Sequence, residues 1–122
     1  MEMRLEVVTV PVTDVDRAKE FYLSVGFNAD HDHTVSDEIR FVQMTPAGSA
    51  CSIAFGQGIT EVGAAPVLGL QVVVASAEAT RTDLAARGVE VSEIQDFPWG
   101  RFVFFQDPDG NRWAVQEIPK RG

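Results

Sequence analysis

The stretch VVTVPVTDVDRAKEFYLSVGF, residues 7–27, decides the fold because its plan returns about 62 residues later as LGLQVVVASAEATRTDLAARGV, residues 68–89. Each copy has a strand rich in β-branched residues, a residue that can cap a helix, a helical segment with apolar positions and a glycine. Asp14 matches Ser76 as the cap, with Thr13 as an alternative, and Gly26 matches Gly88 as the stop. The repeat predicts two similar units in one chain.

Strands are predicted around both helices by apolar runs between turn residues. In the first half they cover residues 5–12, 27–33, 40–45 and 51–55, and in the second half residues 68–74, 89–94, 101–106 and 113–118, with residues 97–100 as a loop. These elements predict an α+β fold in which two βαβββ modules, residues 5–56 and 67–118, form a curved mixed sheet around a cleft. Residues 57–66, which contain Gly and Pro, are predicted to link the modules within a single domain of residues 1–122.

The composition argues against several kinds of partner. With 122 residues, 45% of them hydrophobic, the chain can build a packed core. Its formal net charge of −8 disfavours nucleic acid and anionic membranes, which recruit clustered Lys and Arg. Cys51 is the single cysteine, and no stretch approaches the roughly 20 apolar residues of a membrane span. We therefore expect a cytoplasmic protein with neither nucleic acid nor membrane as a partner.

Several short motifs resemble a known family. They are Val12-Thr13-Asp14, Phe21-Tyr22, Gly26-Phe27 and the turn Asp107-Pro108-Asp109-Gly110-Asn111. Together they resemble the vicinal oxygen chelate superfamily, which includes glyoxalases, bleomycin resistance proteins and extradiol dioxygenases. The similarity covers nearly the whole chain. It implies the paired βαβββ fold and, in the enzymes of the family, a divalent metal held in the cleft by His, Glu or Gln from four strands.

The metal-ligand positions that the resemblance implies carry no suitable donors in this sequence. Three of them fall on Val7, Leu68 and Ala114, and the fourth would lie within residues 49–55, which contain no His, Asp, Glu or Gln. Divalent cations need oxygen or nitrogen donors, and aliphatic side chains have none. We therefore expect no metal ion and no other cofactor at the family position.

Three residues elsewhere have side chains suited to catalysis or metal binding. His31 and His33 share one face of an extended strand and could form a displaced metal site or an acid–base pair. A solvated acidic edge is the favoured interpretation of these two histidines. Cys51 has small apolar neighbours and no His at a recognisable spacing, which favours a structural thiol over a nucleophile. No catalytic residue is identified from the sequence.

Aromatic residues in the second unit are the best candidates for ligand contacts. Residues 102–105 are all apolar, so the alternation along the strand does not show which side faces the cleft. Either Phe102 and Phe104 or Val103 and Phe105 face it. Trp99 lies in a Pro-Gly loop at the end of a strand, where an indole can cover the edge of a cleft.

These observations predict metal-independent binding of a small apolar or aromatic organic molecule, for example a drug or natural product sequestered as in bleomycin resistance proteins. The predicted ligand-binding residues are Val7, Thr9, Leu68, Leu70, Trp99, Phe102, Phe104, Ala114 and Gln116. Arg40, Arg101 and Arg112 could pair with an anionic ligand, although exposure to water is the usual state of Arg. The alternatives are a glyoxalase-like lyase, isomerase or dioxygenase acting on a small organic substrate, and a structural dimer without a ligand. A homodimer is expected because pairing would cover exposed sheet edges.

Overall fold

The computed structural model of the protein describes residues 1–119, and the last three positions of the predicted domain, 120–122, lie outside the described residues. The strands are β1 (Val7–Thr9), β2 (Asn28–Thr34), β3 (Arg40–Thr45), β4 (Ser52–Gln57), β5 (Leu70–Val74), β6 (Gln95–Phe97), β7 (Gly100–Gln106) and β8 (Arg112–Glu117), and the helices are α1 (Val15–Val25) and α2 (Ala77–Ala86). The predicted α+β class with two βαβββ modules is confirmed.

The two helices begin and end at the residues that the repeat indicates. Asp14 and Ser76 are the N-caps, and each side chain accepts a hydrogen bond of 3.1 Å from the backbone amide three residues later. Gly26 and Gly88 follow the helices with φ of 100° and 83°, a left-handed conformation that glycine adopts without steric cost. Within residues 1–119 neither helix is long and apolar enough to cross a membrane.

The strands form two four-stranded mixed sheets. The first has the order β1-β4-β3-β2 and the second the order β5-β8-β7-β6. In both sheets the first-named pair is parallel and the other neighbours are antiparallel. The chain divides into two compact units between Pro66 and Val67, so each sheet belongs to one unit together with its own helix.

Each helix packs on one face of its own sheet. In the first unit the buried ring of Tyr22, on α1, has its centroid 5.8 Å from that of Phe55 and 5.1 Å from that of Phe27. In the second unit Glu117, on β8, accepts a hydrogen bond of 2.8 Å from the amide of Ala77, the first residue of α2. We call this side of each sheet its helix face and the opposite side its far face.

The prediction of a strand over residues 89–94 is wrong. The third strand of the second unit is β6, Gln95–Phe97, which extends into the segment predicted as a loop. In residues 89–94 the amide of Ser92 donates to the carbonyl of Phe104, but the amide of Phe104 donates to the Ser92 hydroxyl, each at 2.9 Å. A side-chain oxygen therefore takes the place of a backbone acceptor, and no regular ladder forms there.

Candidate functional site

The register of β8 determines which side chains share the far face of the second sheet. Directly paired residues of neighbouring strands point to the same face. Ala114 pairs with Gln71 and Phe104, and Gln116 pairs with Val73 and Phe102. The far face therefore carries Gln71, Val73, Phe102, Phe104, Ala114 and Gln116.

The same register resolves the alternative that the sequence left open in β7. Val103 pairs with Val115 and Phe105 with Trp113. All four side chains are at most 6% exposed, and the rings of Phe105 and Trp113 stack with centroids 6.0 Å apart. These residues form the apolar core on the helix face, which leaves Phe102 and Phe104 for the far face.

Four aromatic side chains form a continuous series on the far face, which we call the aromatic row: Phe104, Phe102, Phe97 and Trp99. The centroids of Phe102 and Phe104 lie 5.9 Å apart in a stacked arrangement, and Phe97 meets Phe102 edge-on at 5.6 Å. The indole of Trp99 stacks on Phe97 at 5.4 Å. All three distances fit favourable aromatic pairs. Phe102 is 5% exposed whereas Trp99 is 61% exposed, so one end of the row is open to ligands.

Gln116 and Gly100 hold the exposed end of the aromatic row in place. The side-chain amide of Gln116 donates a hydrogen bond of 2.9 Å to the carbonyl of Trp99, and its oxygen accepts one of 2.8 Å from Gln71. Gly100 has a φ of 153°, and a Cβ there would lie 2.7 Å from the carbonyl oxygen of Glu117. Only glycine allows this close approach of the two strands. Trp99 is thus positioned through its backbone while its ring stays exposed.

Arg112 lies at the opposite end of the aromatic row. It begins β8 two residues before Ala114, and its guanidinium carbon is 4.7 Å from the centroid of the Phe104 ring. This distance is typical of a cation–π contact. The row therefore extends from an exposed indole to a positive charge.

The structure places two of the predicted ligand-binding residues off the far face. Leu70 pairs with Trp113, is 7% exposed and belongs to the helix face. Leu68 precedes β5 and is 68% exposed, so it lies outside the sheet. Counted from the helix caps Asp14 and Ser76, the repeat makes positions 69 and 71 the equivalents of Val7 and Thr9. Gln71 is therefore a far-face residue that the predicted set does not include. Phe97, which pairs with Gly100 and stacks on Trp99, is a second far-face residue that the predicted set does not include.

The first sheet has a more polar far face. His31 pairs with Gln43, and the exposed rings of His31 and His33 stack with centroids 5.7 Å apart. Gln43 also pairs with Ala54, which is paired in turn with Thr9 of β1. The other predicted residue of this strand, Val7, is half-buried. In the part of the chain that the structure describes, no group of three or more His, Cys, Asp or Glu side chains is arranged to hold a metal ion.

An ionic network lies on the other side of β2. The guanidinium of Arg40 donates to both carboxylate oxygens of Asp32, at 3.0 and 2.9 Å, and to Asp16 of α1 at 2.8 Å. Lys19 of α1 donates to Asp32 at 2.8 Å. These hydrogen bonds, first from Arg40 and then from Lys19, hold the pKa of Asp32 well below its usual range. Arg40 is therefore engaged within the protein, as is Cys51, whose half-buried thiol lies 3.6 Å from the carbonyl oxygen of Ser52.

Two solved structures from one Streptomyces strain are similar to this chain. TnmS3, an antibiotic binding protein from Streptomyces sp. CB03234, has a TM-score of 0.85 and 29% identity over 97% of this chain and 98% of its own. A glyoxalase/bleomycin resistance protein from the same strain has a TM-score of 0.78 and 31% identity over 93% of this chain and 99% of its own.

Sequence comparisons lead to the same group of proteins. The uncharacterized protein YetH from Bacillus subtilis (strain 168) is 29% identical over 124 residues, which cover 96% of this chain and 100% of YetH. Residues 4–115 match the family model of the Glyoxalase/Bleomycin resistance protein/Dioxygenase superfamily. Because this match extends over nearly the whole chain, the protein belongs to the glyoxalase/bleomycin resistance protein/dioxygenase superfamily.

Proposed function

We propose that the protein binds a flat apolar or aromatic organic molecule without a metal ion, and that this molecule stacks on the aromatic row. The observation that carries the proposal is the exposed indole of Trp99, which is held on Phe97 and fixed through its carbonyl by Gln116. An exposed aromatic surface that is already ordered loses little conformational entropy when a ligand stacks on it. Gln71 and Gln116 supply the few polar groups that orient such a ligand.

The relatives support a binding function for this site. TnmS3 is described as an antibiotic binding protein, and the chains share 29% identity over 97% of this one. We infer that this protein sequesters a drug or natural product in the same general manner. The cytoplasmic location expected from the single cysteine is part of the same proposal.

The residues at the positions that hold the metal in enzymes of the family support binding without a metal ion. Val7 and Ala114 have no donor atoms, and the position given by the corrected repeat, Gly69, has no side chain. These residues do not fit a divalent cation, which requires several oxygen, nitrogen or sulfur ligands. The proposed binding therefore relies on burial and stacking.

Titration with neutral planar aromatic compounds tests the proposal. 2-Naphthamide and larger neutral ring systems should bind the wild type, and Trp99→Ala should weaken binding by roughly 1 to 3 kcal/mol, the usual cost of truncating an aromatic hot spot. Leu23→Ala is the matched control, because Leu23 is an exposed apolar residue on α1, which belongs to the first unit, whereas the row belongs to the second sheet. Calorimetry and thermal melts would be run together. Equal affinities of the wild type and Trp99→Ala would place the ligand elsewhere.

The competing function is a glyoxalase-like enzyme. The observation in its favour is the stacked pair of His31 and His33, which are the only histidines of the chain and are both exposed. Histidine is the side chain best suited to proton transfer at neutral pH. Product analysis of the same titrations by mass spectrometry would detect turnover. Turnover by the wild type that is lost in His31→Ala plus His33→Ala would favour the enzyme over the proposed binding function.

A further inference from the structure

The charge at the end of the aromatic row has no partner of opposite charge within residues 1–119, because no carboxylate there lies within ion-pairing distance of Arg112. Other arginines behave differently: Arg40, Arg81, Arg87 and Arg101 each have a carboxylate oxygen within 3.1 Å. In a chain with a formal net charge of −8, carboxylates are abundant. Arg112 thus combines an aromatic contact with an uncompensated positive charge.

The backbone that carries Arg112 is firmly anchored. In the preceding turn Asp107 accepts hydrogen bonds of 2.9 Å from the amides of Asp109 and Asn111, and one of 2.8 Å from the Asn111 side chain. The Asn111 oxygen accepts a bond of 2.9 Å from the amide of Val67, and the amide of Arg112 donates to the carbonyl of Val67 at 2.8 Å. Asp107 and Asn111 are 3% and 0% exposed, so the two side chains that hold the turn together are buried. The guanidinium therefore extends from a fixed point.

We propose that the molecule bound on the aromatic row carries an anionic oxygen substituent, a carboxylate or a phenolate on its ring system, which pairs with Arg112. This inference rests on the proposed function, because it assigns a ligand class to the same site. A ligand on the row that reaches Phe104, which is half-buried, brings its substituents near the guanidinium, which lies over the Phe104 ring. The planar guanidinium offers paired donors that match a carboxylate, and its contact with Phe104 limits its orientation.

Two probes of equal shape and different charge test this inference. 2-Naphthoate should bind the wild type about threefold to tenfold more tightly than 2-naphthamide at neutral pH, the effect of a charge pair that is partly exposed. Sodium chloride should weaken the binding of naphthoate and leave that of naphthamide unchanged, since salt screens the pair. Arg112→Gln should abolish the preference. Arg101→Gln should retain it, because Arg101 lies on the helix face of the same sheet and its replacement causes the same change of net charge.

The outcomes separate this inference from the proposed function. If both probes bind with equal affinity, or if the preference survives in a folded Arg112→Gln, the anionic ligand class is overturned while aromatic binding stands. If neither probe nor any larger planar compound binds the wild type, both proposals fail. Thermal melts report whether Arg112→Gln folds, and the salt dependence of the wild type provides a test that needs no variant.

Discussion

At the scale of single residues, Gln116 lies between two groups that need opposite partners. The carbonyl of Trp99 needs a donor, and the side-chain amide of Gln71 needs an acceptor. The amide of Gln116 offers both, whereas a carboxylate would serve Gln71 alone and an aliphatic chain would serve neither. Water can replace part of these bonds because Gln116 is half-buried. The residue is therefore expected to matter more for the orientation of Trp99 than for folding.

Gln116→Leu tests this role. We expect the affinity for 2-naphthamide to fall about fivefold, the equivalent of one net hydrogen bond of about 1 kcal/mol, while the Tm changes little. Calorimetric titration measures the affinity. Leu23→Ala is the control, because Leu23 is an exposed apolar residue on α1 in the first unit and has no part in the proposed site. Equal losses in the two variants would show that the anchoring of Trp99 does not contribute to binding.

Ala114→Glu should abolish the binding of the same neutral probe. Ala114 lies between Gln71 and Phe104 on the far face, where a bound ring would cover the new carboxylate. Removing an unpaired carboxylate from water costs several kcal/mol. Ala114→Gln introduces a side chain of equal size without the charge and should retain part of the affinity in calorimetric titrations. Unchanged binding by Ala114→Glu would place the ligand site elsewhere.

The sequence predicts the residue types of the candidate site better than their orientation. Trp99 is recognisable in the sequence because a large indole in a Pro-Gly loop needs other side chains or a ligand to cover it. The choice of Phe102 over Val103 depends on how β7 pairs with β8. The sequence does not reveal this pairing, because residues 102–105 are all apolar and fit either face. A repeat shifted by one residue predicts the wrong face for Leu70, because such a shift turns a side chain to the opposite side of the sheet.

At the scale of secondary structure, local signals identify the helices and fail for β6. The caps Asp14 and Ser76 act within three residues of chain, so they can be predicted without knowledge of the fold. The β-branched residues of 89–94 favour a strand by propensity, yet Gln95–Phe97 is the segment that pairs with β7. In a sheet, the available pairing partner outweighs the intrinsic propensity of a segment to form a strand. The short-range sequence signals do not show which segment pairs with β7.

Asp32 links α1 to two strands and makes stability depend on pH. Since its pKa is lower in the folded chain than the value of about 3.9 expected in the unfolded chain, its contribution is present above that value and is lost as the pH falls toward the folded pKa. We expect Asp32→Asn to lose roughly 1 to 3 kcal/mol at neutral pH, as for hydrogen bonds to a charged group. Its free energy of unfolding should also fall less than that of the wild type on acidification below about pH 4.

Urea denaturation at neutral and acidic pH measures both effects. Asp37→Asn is the matched control, because it causes the same change of charge outside this network of Arg40 and Lys19. If Asp32→Asn and Asp37→Asn have the same acid sensitivity, the network does not contribute to the pH dependence.

At the scale of the whole molecule, the edge strands of the two sheets within residues 1–119 are β1, β2, β5 and β6. Unpaired edges and exposed apolar side chains such as Val73, 59% exposed, favour association with a second copy. We expect a homodimer at tens of micromolar. Sedimentation equilibrium should give twice the monomer mass of 13.3 kDa. A single species at the monomer mass would contradict this expectation.

Metal analysis of the purified protein tests whether it binds a metal ion at the positions that hold one in enzymes of the family. We expect less than about 0.1 equivalent of Zn, Ni, Mn or Fe by elemental analysis, since Val7, Gly69 and Ala114 supply no ligands. Near-stoichiometric metal that disappears in His31→Ala plus His33→Ala would establish a site on the far face of the first sheet. Metal that persists in that variant would refute the assignment of the ligand positions.

The connection between Pro66 and Val67 joins the two units and belongs to neither a strand nor a helix. No strand pairing among residues 1–119 crosses it, and Val67 is bound on its own side by Asn111 and Arg112. A cut in the peptide backbone just before Val67 would therefore sever neither a sheet nor a helix. A circularly permuted chain that starts at Val67 would retain the strand pairings that both sheets show within residues 1–119.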